Sequence, residues 1–190
     1  MIQTDPHVVL IQNARLSFPN IFKPKQGTDS SGQPSGEPKY SAVFLLDKVT
    51  NKDDIARLTT SAVFTKQEKW QGKAVNLTGK SIRDGSEKEA TDGYGSKVVF
   101  VSAANTKRVT VVGRKLEPLV ESDGKVYAGC YVNAELRCWA QDNGFGKRIN
   151  WSLQKIQFVR DGEPFGEKQT PVDQAFKSLD DDTVDANESI

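Results

Sequence analysis

The side chains that most enzymes use for catalysis are scarce in this chain. Its 190 residues include a single histidine, His7, and two cysteines. We expect His7 to lie in a frayed N-terminal segment, where it makes neither a Ser-His-Asp triad nor a His-rich metal site. The motif in which a glycine-rich loop precedes Lys-Ser or Lys-Thr, and which cradles nucleotide phosphates, does not occur either. The sequence therefore predicts a protein that is not an enzyme and that uses no cofactor and no metal.

Carboxylates offer the remaining route to catalysis. The segment RDGSEKEATDGYG, residues 83–95, contains Asp84, Glu87 and Asp92 close to lysines. Clustered carboxylates can hold a divalent cation in a nuclease. However, Asp-Gly pairs are also common in turns, and no pattern places these acids on facing strands. We therefore expect a surface segment, and a metal-dependent nuclease or resolvase is the least favoured alternative.

Aromatic and basic residues at alternating positions form the more informative pattern, in residues 125–160. The apolar row of this pattern is Cys130, Val132, Ala134, Leu136, Cys138 and Ala140. The residues between them include Tyr131, Arg137 and Trp139. Such alternation predicts a strand with one buried and one exposed face. The following segment, DNGFG at residues 142–146, predicts a tight turn and therefore an antiparallel hairpin.

The return strand of this hairpin changes phase. Its apolar residues are Ile149, Trp151, Leu153, Ile156 and Phe158. They move from odd to even positions, which predicts a β-bulge or bend near residues 154–155. A long, bent hairpin is typical of small closed barrels. The same phase predicts that Trp151 lies in the core.

The exposed face of the hairpin is predicted to bind a flexible polyanion. Arg137, Trp139 and Arg148 share this face, and an aromatic ring beside cations suits a strand whose bases can stack. We predict that Trp139, with Tyr131 second, stacks on bases. The residues predicted to neutralise phosphates are Arg137, Arg148, Lys147, Arg108 and Arg114. The alternative is that Trp139 packs under a loop and that the arginines are ordinary surface charge.

The remaining segments predict a mainly β fold with one helix and long loops. The predicted elements are strands over residues 8–18, 40–47, 97–104 and 108–114, a helix between Asn51 and Gly72, an exposed loop over residues 20–39, and a returning segment over residues 162–177. In the first strand Ala14, Leu16 and Phe18 form the buried row, and Pro19 ends it. This set of elements is typical of an OB-like small β-barrel with a helical insertion, and a β-sandwich is the main alternative.

Charge divides the chain into two parts. Of its 25 acids, five lie in residues 178–190, SLDDDTVDANESI, which contain no base. Residues 1–177 therefore carry a formal charge of about +6. We expect one domain over residues 1–177 and a disordered acidic tail over residues 178–190. The tail residues singled out as candidates for partner binding, on the resemblance given below, are Asp180, Asp181, Asp182, Asp185, Glu188 and Ile190.

Neither a membrane span nor a signal peptide is recognisable, which predicts a cytoplasmic protein with no membrane partner. Cys130 and Cys138 lie on one predicted strand, roughly 26 Å apart at about 3.3 Å per residue. This separation is too long for a disulfide. Both cysteines are therefore expected to be buried free thiols.

Four short motifs resemble a family of tailed-phage proteins. They are Asn13-Ala14-Arg15-Leu16-Ser17-Phe18, Lys39-Tyr40, Arg83-Asp84-Gly85 and Tyr127-Ala128-Gly129-Cys130-Tyr131-Val132-Asn133. The family, formerly catalogued as a domain of unknown function, comprises single-stranded DNA-binding proteins with an OB fold and an acidic C-terminal tail. The resemblance covers most of residues 8–165.

The resemblance implies a protein that coats single-stranded DNA during phage replication or recombination in the infected bacterial cell. It also implies that the tail meets phage or host replication proteins. Related tails commonly end in an aromatic residue, whereas Ile190 stands here. A non-enzymatic phage assembly protein is the main alternative. The sequence leaves open whether copies form a homo-oligomer or a cooperative array, and whether duplex DNA or RNA is bound.

Overall fold

The computed structural model describes residues 5–29 and 31–166. They form seven strands and one α-helix. The elements are β1 (Val8–Thr28), β2 (Pro34–Asp47), α1 (Lys52–Trp70), β3 (Arg83–Asp84), β4 (Val98–Asn105), β5 (Thr110–Val112), β6 (Tyr131–Asn143) and β7 (Gly146–Arg160).

Five of the strands close into a barrel. Strand β1 pairs antiparallel with β2 and β6, β2 pairs with β4, and β6 pairs with β7. A parallel contact between Ala103 of β4 and Trp151 of β7 closes the ring. The short strands β3 and β5 extend it at β4 and β7. This arrangement confirms the predicted OB-like barrel, and the β-sandwich alternative is wrong.

The β6–β7 hairpin forms as its alternation predicts. Cys130, Val132, Ala134, Leu136 and Cys138 are all buried, and Ala140 is partly buried. The pairing moves from Glu135–Lys155 to Leu136–Leu153, so Gln154 is the extra residue of a bulge. Trp151 is 3% exposed and belongs to the core. The predicted bulge and the predicted position of Trp151 are both confirmed.

The two cysteines are buried free thiols, as predicted. Burial raises the pKa of the Cys130 thiol and also that of Cys138. A thiol is nucleophilic only when ionised, and these therefore act as small apolar core residues.

The helix α1 packs on the barrel through Leu58, which is fully buried. It begins directly after Asn51, but the side chain of Asn51 does not cap it. Instead the Asn51 Oδ1 accepts a hydrogen bond from the Asp47 N–H, and its Nδ2 donates to the Gln12 carbonyl. Asn51 therefore joins the helix to β1 and β2. The helix ends where Gln71 and Gly72 take positive φ, close to the predicted end.

The first strand is longer than predicted. It continues past Pro19 to Thr28 and pairs with a β2 that begins at Pro34. The expectation of a loop over residues 20–39 is therefore wrong, because most of this segment is an exposed two-stranded arm. Pro19 is tolerated because the pairing is irregular between Ser17 and Asn20, where a missing N–H costs no regular ladder bond.

The prediction that alternate residues of β1 are buried is wrong for the last of them, Phe18. Ala14 and Leu16 are fully buried, but Phe18 is 53% exposed. Phe18 has a φ of 46°, in the left-handed region. This conformation interrupts the extended backbone on which alternation depends, so Phe18 turns to the outside.

The residues before β1 are fixed to the helix, so the expectation that His7 is frayed is wrong. The Nδ1 of His7 lies 2.9 Å from the Thr65 hydroxyl, and its Nε2 lies 3.1 Å from a Glu68 carboxylate oxygen. Its ring meets Phe64 edge-on at 5.3 Å.

No helix in the described part of the chain is long and apolar enough to cross a membrane.

Replacing Trp151 by alanine should lower the free energy of unfolding by about 3–5 kcal/mol, because the change loses burial and leaves a cavity. Replacing Trp139, on the opposite face of the hairpin, should cost about 1 kcal/mol or less. Urea unfolding followed by circular dichroism compares both variants with the parent chain. Equal losses would contradict the assignment of the two tryptophans to different faces.

Candidate nucleic-acid interface

A groove of about 610 Å³ crosses the outer surface of the barrel. It runs from the base of the β1–β2 arm across β4 to the β6–β7 hairpin. Phe18 and Trp139 are its exposed aromatic residues, and polar side chains including Ser102, Asn150 and Ser152 line it. We call it the aromatic groove.

Trp139 lies on the face of the hairpin that points away from the core. It pairs with Asn150, whereas the next pair, Cys138 and Trp151, is buried. The Trp139 side chain is 44% exposed. Its apolar ring is therefore available to a flat ligand while its backbone is held by the ladder of β6 and β7.

Phe18 provides a second exposed ring in the aromatic groove. The Lys88 ammonium nitrogen lies 5.6 Å from the centre of this ring. The same nitrogen is 5.8 Å from the Tyr94 ring and 5.6 Å from the Phe100 ring. This end of the groove therefore combines an aromatic surface with a cation. Side-chain alternation in β1 predicted that Phe18 lies in the core. Phe18 also belongs to the motif over residues 13–18 that resembles the phage family, but that motif does not indicate which way its side chain points.

Arg148 lies beside Trp139, as predicted. It pairs with Gln141, so it is the diagonal neighbour of Trp139 on the same face. Arg148 is exposed, and its side chain makes no hydrogen bond or ion pair with another described residue. Its positive charge is therefore available to an external anion.

Arg137 shares this face but is already paired. Its guanidinium lies 2.7 Å from the Asp5 carboxylate. The backbone N–H of His7, together with this guanidinium, lowers the pKa of Asp5, so the carboxylate stays charged. A phosphate would have to displace Asp5 to reach Arg137. The sequence could not indicate this contact, because the two residues lie far apart in the chain.

Lys147 adds positive charge to the hairpin and also contacts residues that pack beside the turn. Its ammonium lies 3.8 Å from the Asp142 carboxylate and 6.0 Å from the centre of the Trp70 ring. The Trp70 indole N–H donates to the same carboxylate at 2.8 Å. Trp70 itself is buried and packs against the core.

Of the seven predicted contact residues, only Trp139 lines the aromatic groove. Arg148 lies beside Trp139, and Arg137 and Lys147 lie elsewhere on the hairpin. Arg108 and Arg114 are exposed and flank β5, which pairs with residues 155–157 of β7. Neither lines the groove. Tyr131 lies eight residues from Trp139 on β6, about 26 Å away. Its ring is covered by the Arg160 guanidinium, 3.4 Å from the ring centre.

Tyr131 instead belongs to a cluster that holds the segment after β7. Arg15 lies 4.2 Å from the centre of the Phe165 ring and 5.9 Å from that of Tyr131. Arg15 also donates to the carbonyls of Gly129 and Glu163. Phe165 therefore anchors the described part of the predicted returning segment, and residues 167–177 lie outside the described residues.

The carboxylates considered for a nuclease are separated by their partners. The Lys48 ammonium, at 2.6 Å, and Ser86 hold the pKa of Asp84 far below its usual range. Glu87 pairs with Arg83 at 2.7 Å, and Asp92 accepts the Gly166 N–H at 2.9 Å. The described residues contain no group of three or more His, Cys, Asp or Glu side chains that could hold a metal.

The predicted tail, including Asp180, Asp181, Asp182, Asp185, Glu188 and Ile190, lies outside the described residues.

The chain is similar to several phage proteins. Residues 7–186 match a family described as Enterobacter phage Enc34, ssDNA-binding protein. The putative protein p50 of Acyrthosiphon pisum secondary endosymbiont phage 1 is 38% identical over 166 residues, which cover 83% of this chain and 85% of that protein.

Two solved structures share the fold. The single-stranded DNA-binding protein from bacteriophage Enc34 in complex with ssDNA is 30% identical, with a TM-score of 0.73 over 84% of this chain and 90% of that one. The single-stranded DNA-binding protein gp2.5 of bacteriophage T7 has a TM-score of 0.53 over 85% of this chain and 94% of that one. Its identity is 12%, so this second likeness is one of fold alone.

Proposed function

Because this chain belongs to the family of the Enterobacter phage Enc34 single-stranded DNA-binding protein, we propose that it coats single-stranded DNA during phage DNA replication or recombination. The observation that carries the proposal is the aromatic groove, with exposed rings at Phe18 and Trp139 and cations beside them. The solved relative in complex with ssDNA has the same fold over most of its length.

Base stacking supplies affinity in this proposal. Trp139 and Phe18 each stack on a base, and one stacked base contributes about 1–3 kcal/mol. Every base has a π-face, so stacking tolerates any sequence. The protein therefore binds without strong sequence preference.

Phosphate neutralisation supplies the remaining affinity. Arg148 is free to contact a phosphate beside Trp139, and Arg137 does so by exchanging Asp5 for the phosphate. Lys147, at the start of β7, adds positive charge to this end of the hairpin. Arg108 and Arg114 lie outside the groove, and they attract the strand at longer range. Tyr131 has no part in stacking, because Arg160 covers its ring.

Residues 178–190 form an acidic tail that imitates single-stranded DNA. Their five acids are tethered to a basic body, and tethering gives them a high effective concentration at the groove. They compete for the cations until DNA displaces them. The released tail then binds phage or host replication proteins in the cytoplasm of the infected bacterium. The protein acts without a cofactor and is not an enzyme.

Replacing Trp139 by alanine should weaken binding of an oligothymidine about 5- to 150-fold, which corresponds to one lost stacked base. Replacing Phe18 by alanine should have an effect of the same order. The measurement is fluorescence anisotropy of a labelled oligothymidine. Phe145, which is 82% exposed at the hairpin turn and outside the groove, is the matched control and should be silent. Binding by Trp139→Ala as tight as that of the parent would remove Trp139 from the site.

Ending the chain at Lys177 should tighten binding of the same oligonucleotide. The gain should be largest at low salt, where the tail acids are least screened. Titrations at low and physiological salt, with a duplex control, measure it. An unchanged affinity at every salt concentration would reduce the tail to a solubilising end. Failure of both chains to bind would favour a phage assembly protein.

A further inference from the structure

A second depression, of about 480 Å³, lies beside the aromatic groove. We call it the side basin. It is lined by Thr78, Gly79, Lys80, Arg83, Glu87, Arg148, Ile149 and Asn150. Three of its four charged side chains are basic.

The side basin is built where an insertion meets the start of β7. The segment between α1 and β3 crosses the barrel surface here, and the Thr78 N–H donates to the Lys147 carbonyl at 2.8 Å. Gly146 has a φ of 101°, and a Cβ on it would lie 2.5 Å from the Thr78 hydroxyl oxygen. The positive φ of Gly146 and the closeness of the Thr78 side chain therefore favour glycine at this position, and the backbone hydrogen bond holds the insertion against β7.

Two cationic side chains of the side basin make no hydrogen bond or ion pair with another described residue. They are Lys80 and Arg148, and both are exposed. The charge of Lys80 acts on Glu87 only at longer range, where it helps to lower the pKa of that carboxylate. Arg83, by contrast, is paired with Glu87 at 2.7 Å and lies over the Phe100 ring. The Arg83–Glu87 pair is electrically neutral as a unit. The basin therefore presents a net positive charge to an anion.

The side basin continues the aromatic groove. Asn150 lines both, and it is the residue that pairs with Trp139. Arg148 follows two positions away on the same face of β7. A DNA strand with one base stacked on Trp139 can therefore continue over Asn150, where its next phosphates meet Lys80 and Arg148.

The loop of the basin is not a nucleotide-binding loop. Its Gly79-Lys80-Ser81 sequence matches the last part of the phosphate-loop motif. However, Ala74 stands where that motif has its first glycine, and the strand β3 rather than an α-helix follows. The helix N-terminus that would hold the phosphates of a nucleotide is therefore missing here.

We propose that the side basin binds the backbone phosphates of nucleotides that extend beyond the aromatic groove, through Lys80, with Arg148 at the boundary between the two depressions. The insertion thereby lengthens the stretch of DNA that one copy covers. This inference rests on the proposed function of the groove.

The test is a series of oligothymidines of increasing length, bound to the full chain and to the variant Lys80→Ala, because Lys80 lines the side basin but not the aromatic groove. Short oligonucleotides that fill the groove should bind the variant within a few-fold of the parent. Longer ones should bind it about ten-fold more weakly at low salt. With a long oligonucleotide, the slope of log K against log salt should fall by about 0.7, the value for one lost phosphate contact on a single strand.

Lys52→Ala is the control, because Lys52 is an exposed lysine at the start of α1 that lines neither depression. Thermal unfolding verifies that each variant is folded. The proposed role of the side basin would be overturned if the affinity of the variant rose with oligonucleotide length as that of the parent does. It would also be overturned if the variant lost affinity equally for oligonucleotides of all lengths. Failure of the parent chain to bind any oligothymidine would instead overturn the proposed function itself.

Discussion

The register of the β6–β7 hairpin is the constraint on which both the core and the proposed site depend. Neighbouring cross-strand pairs point to opposite sides: Cys138 and Trp151 into the barrel, Trp139 and Asn150 out of it. A slip of one residue would exchange these faces. The bulge at Gln154 restores apolar residues to the interior after the phase change. The bulge thus allows both ends of the long strand β7 to place apolar side chains in the core.

Barrel closure places the proposed site at a seam. Strands β4 and β7 meet in parallel at Ala103 and Trp151, and the Asn105 side chain donates to the Leu153 carbonyl at 3.0 Å. The aromatic groove crosses this seam, and the side basin lies where the insertion after α1 covers the start of β7. The two depressions therefore rest on a rigid ladder of backbone hydrogen bonds, while their aromatic and basic side chains stay exposed. Pre-organisation of this kind lowers the entropy cost of binding.

The sequence predicted the features that follow from side-chain alternation and local turn chemistry. The hairpin, its bulge, the buried Trp151 and the exposed pair Trp139 and Arg148 all belong to this class. It missed features that depend on a special backbone angle or on distant contacts. Phe18 leaves the predicted buried row because of its positive φ. The Arg137 side chain meets a carboxylate 132 positions away, and no local pattern carries that information.

The central claim is that Trp139 stacks on a DNA base. The chain has three tryptophans, so the variant Trp70→Phe/Trp151→Phe leaves Trp139 as the single indole. Its emission should be measured during titration with oligothymidine, with anisotropy of the labelled strand followed in the same samples. The account predicts quenching that saturates at the same protein-to-DNA ratio as the anisotropy. Full binding by anisotropy with unchanged tryptophan emission would contradict it.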